Sequence, residues 1–144
     1  MNKKLLVVIV TYNAMQWIDL CVGSVTKSTI KSDILIVDNG SSDGTQEYIK
    51  EHLKNEVYFV ESQENLGFGR ANNIGLQYAL DNGYDFVYLL NQDAWVFPNT
   101  FEKLIETMLE HDEFGVVSPI QMQANMKHFD TFFRDIISKK YNDN

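Results

Sequence analysis

The sequence has little cysteine and little positive charge, and it has no long apolar run. Cys21 is the only cysteine among 144 residues, which excludes an intrachain disulfide and a cysteine-cluster metal site. A reducing compartment suits such a chain. Lys and Arg number 12 against 20 Asp and Glu, so the formal net charge is −8. Binding to nucleic acid through phosphate neutralisation is therefore not expected.

The first apolar run is too short for an export signal or a membrane span. Residues 5–10 are apolar and follow Lys3 and Lys4, but the run ends at Thr11. A signal peptide needs roughly 7 to 15 apolar residues and a spanning helix about 20. We therefore expect a cytoplasmic protein without a membrane span, with a peripheral position at the inner face of the membrane as the alternative.

Short apolar runs alternate with stretches of helical spacing. The runs are rich in β-branched residues, which is typical of buried strands, and occupy residues 5–10, 34–37, 57–60, 86–90 and 115–118. Asp43 and Gln46 have the spacing of a capping box that opens the second helix, and Gly83 stands where the third should end. This five-fold alternation predicts an α/β fold of three layers, doubly wound around a mostly parallel sheet.

The last part of the chain has a different pattern. Apolar residues at positions 129, 132, 133, 136 and 137 form one stripe at helical spacing. The stripe predicts a final amphipathic helix, followed by a polar tail. Such a helix packs on the sheet or on a partner chain, which leaves a homodimer open.

Four polar clusters follow the first four predicted strands, at residues 11–13, 38–44, 64–70 and 91–93. Ligands of open parallel sheets bind beyond the carboxyl ends of the strands, where loops and helix N-termini converge. Gly67 and Gly69 would let backbone N–H groups approach an anion, and Arg70 adds a charge suited to phosphate. Alternatively the glycines only form a tight turn and Arg70 is solvated, but three companion loops favour a phosphate site.

Two aspartates at this edge suit different contacts. Asp38 ends a buried strand, where its carboxylate can accept hydrogen bonds from a ribose hydroxyl or a base N–H, or can cap the turn of residues 39–43. Asp93 can supply an oxygen ligand to Mg²⁺ or Mn²⁺, which use one or two carboxylates plus substrate phosphates. Asn91 can add a carbonyl ligand or hold a metal-bound water.

Other nucleotide-binding and catalytic motifs are missing. No G-x-G-x-x-G follows the first strand, which disfavours a nicotinamide cofactor, and no P-loop motif occurs. The three histidines, His52, His111 and His128, do not share metal-ligand spacing. A receiver-like or flavodoxin-like signalling domain would have the same layers, but the first strand does not end in an acidic pair.

Together the four clusters resemble the successive motifs of the family 2 glycosyltransferases with the GT-A fold. The matching segments are VIVTYN at residues 8–13, IVDNGSSDGT at 36–45, NLGFGRANN at 65–73 and LLNQD at 89–93. The resemblance implies a Rossmann-like nucleotide-sugar-binding fold and an inverting transferase of polysaccharide biosynthesis. It further implies a UDP- or dTDP-sugar donor, a divalent metal ion (Mg²⁺ or Mn²⁺), and a saccharide or lipid-linked acceptor.

The resemblance also implies individual roles. The residues implied to contact the nucleotide sugar are Thr11, Tyr12, Asn13, Asp38, Asn65, Gly67, Arg70 and Asn91. Among them Asp38 would read the base, and Arg70 would lie near the diphosphate. Asp93 would be the metal-binding last residue of the D-x-D motif. Asn91 stands in the place of the first aspartate of that motif. This Asn-x-Asp version resembles the motif of transferases of rhamnose-like or galactofuranose-like sugars.

The implied organisation is a nucleotide-sugar-binding domain at residues 1–120 and a C-terminal amphipathic helix and tail at residues 121–144. Family members usually continue into an acceptor-binding half that supplies the catalytic carboxylate. That base is not identifiable here: Asp130 and Asp135 can be proposed, but a helical core stripe explains the same segment. Two functions therefore stay open, a metal-assisted transferase and a nucleotide-sugar-binding fragment or subunit without activity of its own.

Overall fold

A parallel sheet of four strands organises the chain in the computed structural model, which describes residues 3–131 and residue 134. The strands are β1 (Leu5–Thr11), β2 (Asp33–Asp38), β3 (Tyr58–Glu61) and β4 (Phe86–Asn91), in the order β3-β2-β1-β4. The helices are α1 (Ile18–Thr26), α2 (Thr45–Tyr48), which continues as a π-helical turn (Ile49–Leu53), α3 (Phe68–Asp81) and α4 (Thr100–Glu110). The prediction of an α/β fold with a parallel sheet is confirmed.

The apolar side chains of β1 are buried on both faces of the sheet. Val8 lies in the core on the face covered by α3, where it contacts the backbone of Gly75. Its neighbour Val7 is also fully buried, and the partner of Val7 in β4 is Tyr88, which packs edge-on against Phe101 of α4. Helices therefore cover both faces, because a central parallel strand exposes no face to water.

Three local predictions are wrong. Residues 115–118 form no strand: they pair with no other described segment, and Val116 is 90% exposed, so the run buries too little to offset the ordering of an unpaired backbone. Asp43 and Gln46 form no capping box, because the Gln46 amide donates to Asp38 instead. Phe129 does not begin a helix but forms an antiparallel bridge with Met122.

The chain divides into two compact units, Met1–Lys103 and Leu104–Asn144. In the second unit a short hairpin is closed by the Gln123 N–H, which donates to the His128 carbonyl oxygen (2.9 Å). Thr131 and Arg134 are helical, and the remaining residues of the predicted amphipathic stripe lie outside the described residues. None of the helices in the described part combines the length and the apolar character needed to cross a membrane.

Candidate functional site

A cleft of about 340 Å³ opens at the carboxyl edge of the sheet. Its lining residues are Val10, Tyr12, Asn39, Asn65, Phe68, Asn91, Gln92 and Asp93. The loops after all four strands contribute to this lining, so the four polar clusters do meet, as predicted. The reason is topological, because the carboxyl ends of parallel strands share one edge.

Asp38 lies beneath the cleft and outside its lining. It pairs in register with Thr11, whose hydroxyl donates to the Asp38 carboxylate (2.8 Å), and both side chains are fully buried. The carboxylate also accepts hydrogen bonds from the Ser41 N–H (2.9 Å), the Ser41 hydroxyl and the Gln46 amide (2.6 Å). Asp38 therefore holds the turn after β2, and its contact with a base remains a prediction.

Asn13 ties the first loop to the second. Its backbone is left-handed (φ 53°), its N–H donates to the Ser41 hydroxyl (2.9 Å), and its side-chain oxygen accepts from the Ser42 N–H (2.9 Å). Tyr12, between Thr11 and Asn13, instead lines the cleft and is 47% exposed. Among the three predicted residues of the first loop, the structure presents Tyr12 to a ligand and uses its neighbours to hold the loop.

Asn39 and Asn65 fix the third loop at the start of α3. The Asn39 amide donates to the Asn65 side-chain oxygen (2.9 Å) and accepts from the Leu66 N–H (2.7 Å). The same Asn65 oxygen accepts from the Gly67 N–H (2.9 Å), so that donor is already used within the loop. Gly67 has a φ of 83°, a left-handed value that a glycine adopts without strain.

Three predicted side chains are not engaged by the protein. Asn91 and Asp93 are exposed in the cleft, and Arg70 is exposed in the first turn of α3. No described residue makes a hydrogen bond or an ion pair with any of these three side chains. They are therefore the polar groups of the edge that can contact a ligand without first breaking a contact in the fold.

Cys21 lies under the fourth loop. Its thiol contacts the Asn91 carbonyl oxygen (3.6 Å), and the residue is 1% exposed. Burial, followed by the negative charge of Asp93, raises the pKa of the Cys21 thiol to about 12. The thiol therefore stays protonated at neutral pH, and a nucleophilic role is disfavoured.

The protein supplies few metal ligands of its own. Among the residues that the structure describes, no group of three or more His, Cys, Asp or Glu side chains could hold a metal ion. Asp93 is the only carboxylate that the described part of the chain contributes to the cleft lining. Asp130 lies in the second unit, where its N–H donates to the Gln121 carbonyl oxygen (2.9 Å), and Asp135 lies outside the described residues.

Four lining residues were not singled out from the sequence, namely Val10, Asn39, Phe68 and Gln92. Three of them stand inside the predicted polar clusters, beside residues that were singled out. The sequence therefore indicates that these three residues lie at the edge of the sheet. It does not show which way a side chain in a loop points.

The sequence matches the profile of glycosyl transferase family 2 over residues 6–142. It is 28% identical over 113 residues to the glycosyltransferase GlyA of Streptococcus pneumoniae, covering 76% of this chain and 16% of that protein. It is 30% identical over 101 residues to the putative glycosyltransferase EpsH of Bacillus subtilis, covering 69% of this chain and 28% of that protein. The chain thus spans less than a third of the length of either relative.

Solved structures share the architecture. TarS of S. aureus, in complex with UDP-GlcNAc, matches with a TM-score of 0.66 and 20% identity, over 83% of this chain and 38% of that one. The mannosyltransferase PcManGT of Pyrobaculum calidifontis, in complex with GDP-Man and Mn²⁺, matches with a TM-score of 0.64 and 20% identity, over 84% and 34%. At this identity the likeness establishes the fold, which is that of the GT-A glycosyltransferases.

Proposed function

The chain belongs to glycosyl transferase family 2, and from this premise we propose that its cleft binds a UDP- or dTDP-sugar for transfer to an acceptor hydroxyl. The transfer would invert the anomeric centre, with metal assistance, and the acceptor would be a saccharide or a lipid-linked saccharide. One observation carries the proposal: Asn91 and Asp93 face the same cleft as Tyr12 and Asn65 without a protein partner among the described residues.

The residues proposed to form the nucleotide-sugar site are Thr11, Tyr12, Asn13, Asp38, Asn65, Gly67, Arg70 and Asn91. The geometry supports two kinds of contribution. Tyr12, Asn65 and Asn91 would touch the donor directly from the cleft lining. Thr11, Asn13 and Asp38 would act through the loops that they hold, because their polar groups are committed to the protein. Arg70 would lie near the diphosphate as a counter-ion.

Asp93 and Asn91 fit a Mg²⁺ or Mn²⁺ ion that is shared with a substrate. Neither side chain is bound by another residue within the described ranges, and these ions commonly take one or two protein carboxylates together with phosphate oxygens. Asp93 would therefore hold the ion only when the diphosphate completes its coordination. A bound ion would neutralise the charge that grows on the leaving diphosphate.

Titration of the whole chain with UDP, dTDP and GDP, with Mn²⁺ or with a chelator, tests this proposal. We expect Mn²⁺ to strengthen the binding of UDP or dTDP, and Asp93→Ala to abolish that gain. Asp112→Ala, which removes an exposed carboxylate outside the cleft lining, is the matched control and should retain the gain. Equal gains for Asp93→Ala and wild type would reject the metal assignment.

A donor-binding module without transferase activity of its own is the second candidate. In an inverting transfer the acceptor oxygen bonds to the anomeric carbon, the bond to the diphosphate breaks, and a base takes the hydroxyl proton. The described cleft lining offers only Asp93 as a carboxylate, and that group is proposed to bind the metal. Donor binding with neither hydrolysis nor transfer would favour the module, whereas turnover by the chain alone would exclude it.

A further inference from the structure

Gln92 stands between the two exposed side chains of the fourth loop, but its own side chain is engaged. The Tyr12 N–H donates to the Gln92 side-chain oxygen (2.7 Å), and the Gln92 amide nitrogen donates to the Tyr12 carbonyl oxygen (3.1 Å). A carboxamide carries one donor and one acceptor group side by side, so it matches both backbone groups of one residue. The contact joins residues that are 80 positions apart in the chain.

The geometry of the sheet explains why a side chain makes this contact. β1 and β4 pair in parallel up to Val10 and Asn91, the last pair of the ladder. Directly after Asn91 the chain turns, and the Ala94 N–H donates to the Asn91 carbonyl oxygen (3.1 Å). The backbone of β4 therefore cannot extend the ladder, and the Gln92 carboxamide takes the place of the next peptide group. It ties the first loop to the fourth one step beyond the last backbone pair.

From this contact we infer that Gln92 is a positioning residue that couples metal binding to nucleotide binding, an inference that rests on the proposed function. Tyr12 and Asp93 line the same cleft, Tyr12 for the nucleotide and Asp93 for the metal. Gln92 precedes Asp93 directly and holds the backbone of Tyr12. Binding of either ligand, the metal or the nucleotide, therefore helps to order the part of the site that the other ligand contacts. Such mutual ordering gives a coupling free energy between the two ligands.

The variant Gln92→Met tests the inference, because it keeps the length of the side chain and removes both hydrogen-bonding groups. The measured quantity is the ratio of the UDP dissociation constants in chelator and in saturating Mn²⁺. Loss of the two hydrogen bonds should lower this ratio by about tenfold. Gln77→Met is the matched control, since Gln77 donates to Asp81 (2.8 Å) on the exposed face of α3, and this variant should leave the ratio unchanged.

A second measurement needs no ligand. In Gln92→Met the amide hydrogen of Tyr12 should exchange with solvent faster than in wild type, because its acceptor is gone. Gln92→Asn keeps the amide but is one methylene shorter, so it should lower the ratio as well and replaces Gln92→Met if that variant does not fold.

The outcomes separate the two proposals. A merely structural role would lower the melting temperature and leave the ratio unchanged, and an unchanged ratio in both folded Gln92 variants would overturn the inference. Wild-type protein that binds neither UDP nor dTDP, with or without Mn²⁺, would overturn the proposed function, and the inference would fall with it. A wild-type protein that binds UDP while the Gln92 variants lose the coupling supports both.

Discussion

Asp38 shows at the scale of one residue how a carboxylate at a ligand-binding edge can serve the fold. It is fully buried and accepts hydrogen bonds from Thr11, Ser41 and Gln46, so both of its oxygens have partners within the protein. An amide in its place would present a donor where both oxygens now accept. The residues that Asp38 binds lie in the loop after β2 and in the segments beside that loop. A change at Asp38 should therefore also disturb the loops that form the cleft.

Asp38→Asn should therefore destabilise the protein. The new side-chain N–H would face a group that now donates to the carboxylate, so two buried donors would meet. We expect the free energy of unfolding to fall by about 1–3 kcal/mol. Chemical denaturation at neutral pH measures this change. Asp81→Asn, at an exposed aspartate of α3 that accepts from Gln77, is the control and should cost much less. A free energy of unfolding equal to that of wild type would show that the four hydrogen bonds are not required.

Cys21 makes a pH-dependent contribution at the same scale. Its thiol pKa is raised from 9.0 to about 12 by burial, followed by the charge of Asp93. The folded state therefore binds the proton more tightly than the unfolded state, and the resulting stability is present below pH 9. It is lost as the pH rises from about 9 towards 12, at up to about 1.4 kcal/mol per pH unit.

Denaturation curves of wild type and Cys21→Ala at pH 7, 9 and 10 measure this contribution. The variant has a different stability at pH 7 because the side chain is smaller, so the slopes with pH are compared instead. Wild type should lose more free energy of unfolding than the variant above pH 9. Parallel slopes would mean that Cys21 does not titrate differently in the folded and unfolded states.

α3 packs closely on the sheet, and a single glycine permits this. A Cβ atom at Gly75 would lie 2.4 Å from Cγ1 of Val8, which is far inside van der Waals contact. Val8 belongs to the central strand and is fully buried, so it has no space to move. The close approach also sets the position of the N-terminus of α3, where Phe68 lines the cleft.

Gly75→Ala should destabilise the protein by about 1–3 kcal/mol, because overpacking outweighs the gain in helix propensity. Gly23→Ala is a matched control in α1, where a Cβ atom would meet nothing within 4 Å. It should stabilise the protein by up to about 1 kcal/mol. Thermal or chemical unfolding of both variants measures the contrast, and a stabilised Gly75→Ala would disprove the tight packing of α3 on β1.

The whole molecule carries a charge that opposes its proposed ligand. The formal net charge is −8, and a nucleotide diphosphate is also an anion. At long range the two repel, so the attraction needed for binding must come from short-range groups such as Arg70 or from a bound cation. This distinguishes the chain from basic proteins that collect phosphates by their overall field.

Added salt should therefore speed the association of a fluorescent UDP analogue in the presence of chelator, because salt screens long-range repulsion. Stopped-flow measurements between 20 and 200 mM NaCl would give the dependence of the association rate constant on ionic strength. Charge-neutral analogues such as uridine provide the control and should show little dependence. If the association rate constant instead fell with added salt, attractive charges near the cleft would outweigh the long-range repulsion, and the prediction would be wrong.

Much of the fold and half of the cleft could be predicted from local pattern. The four strands that form are the runs that pair with a neighbouring strand, and the sequence places Tyr12, Asn65, Asn91 and Asp93 at the carboxyl edge of their sheet. The run at 115–118 also contains β-branched residues but pairs with no other described segment, so the pattern alone could not exclude it. A strand exists only where a partner satisfies its backbone.

The sequence by itself determined the order of strands and helices, and with it the edge at which the four polar loops meet. That order follows from the burial of apolar side chains, and the spacing of apolar residues in the sequence indicates which side chains are buried. Only the tertiary structure decided which polar side chains face the cleft. Asp38 turns inward to four donors, Gln92 turns to the backbone of Tyr12, and Asp93 is left without a partner in the described chain. The contacts of Asp38 with Thr11 and of Gln92 with Tyr12 join residues far apart in sequence, and no local pattern records them.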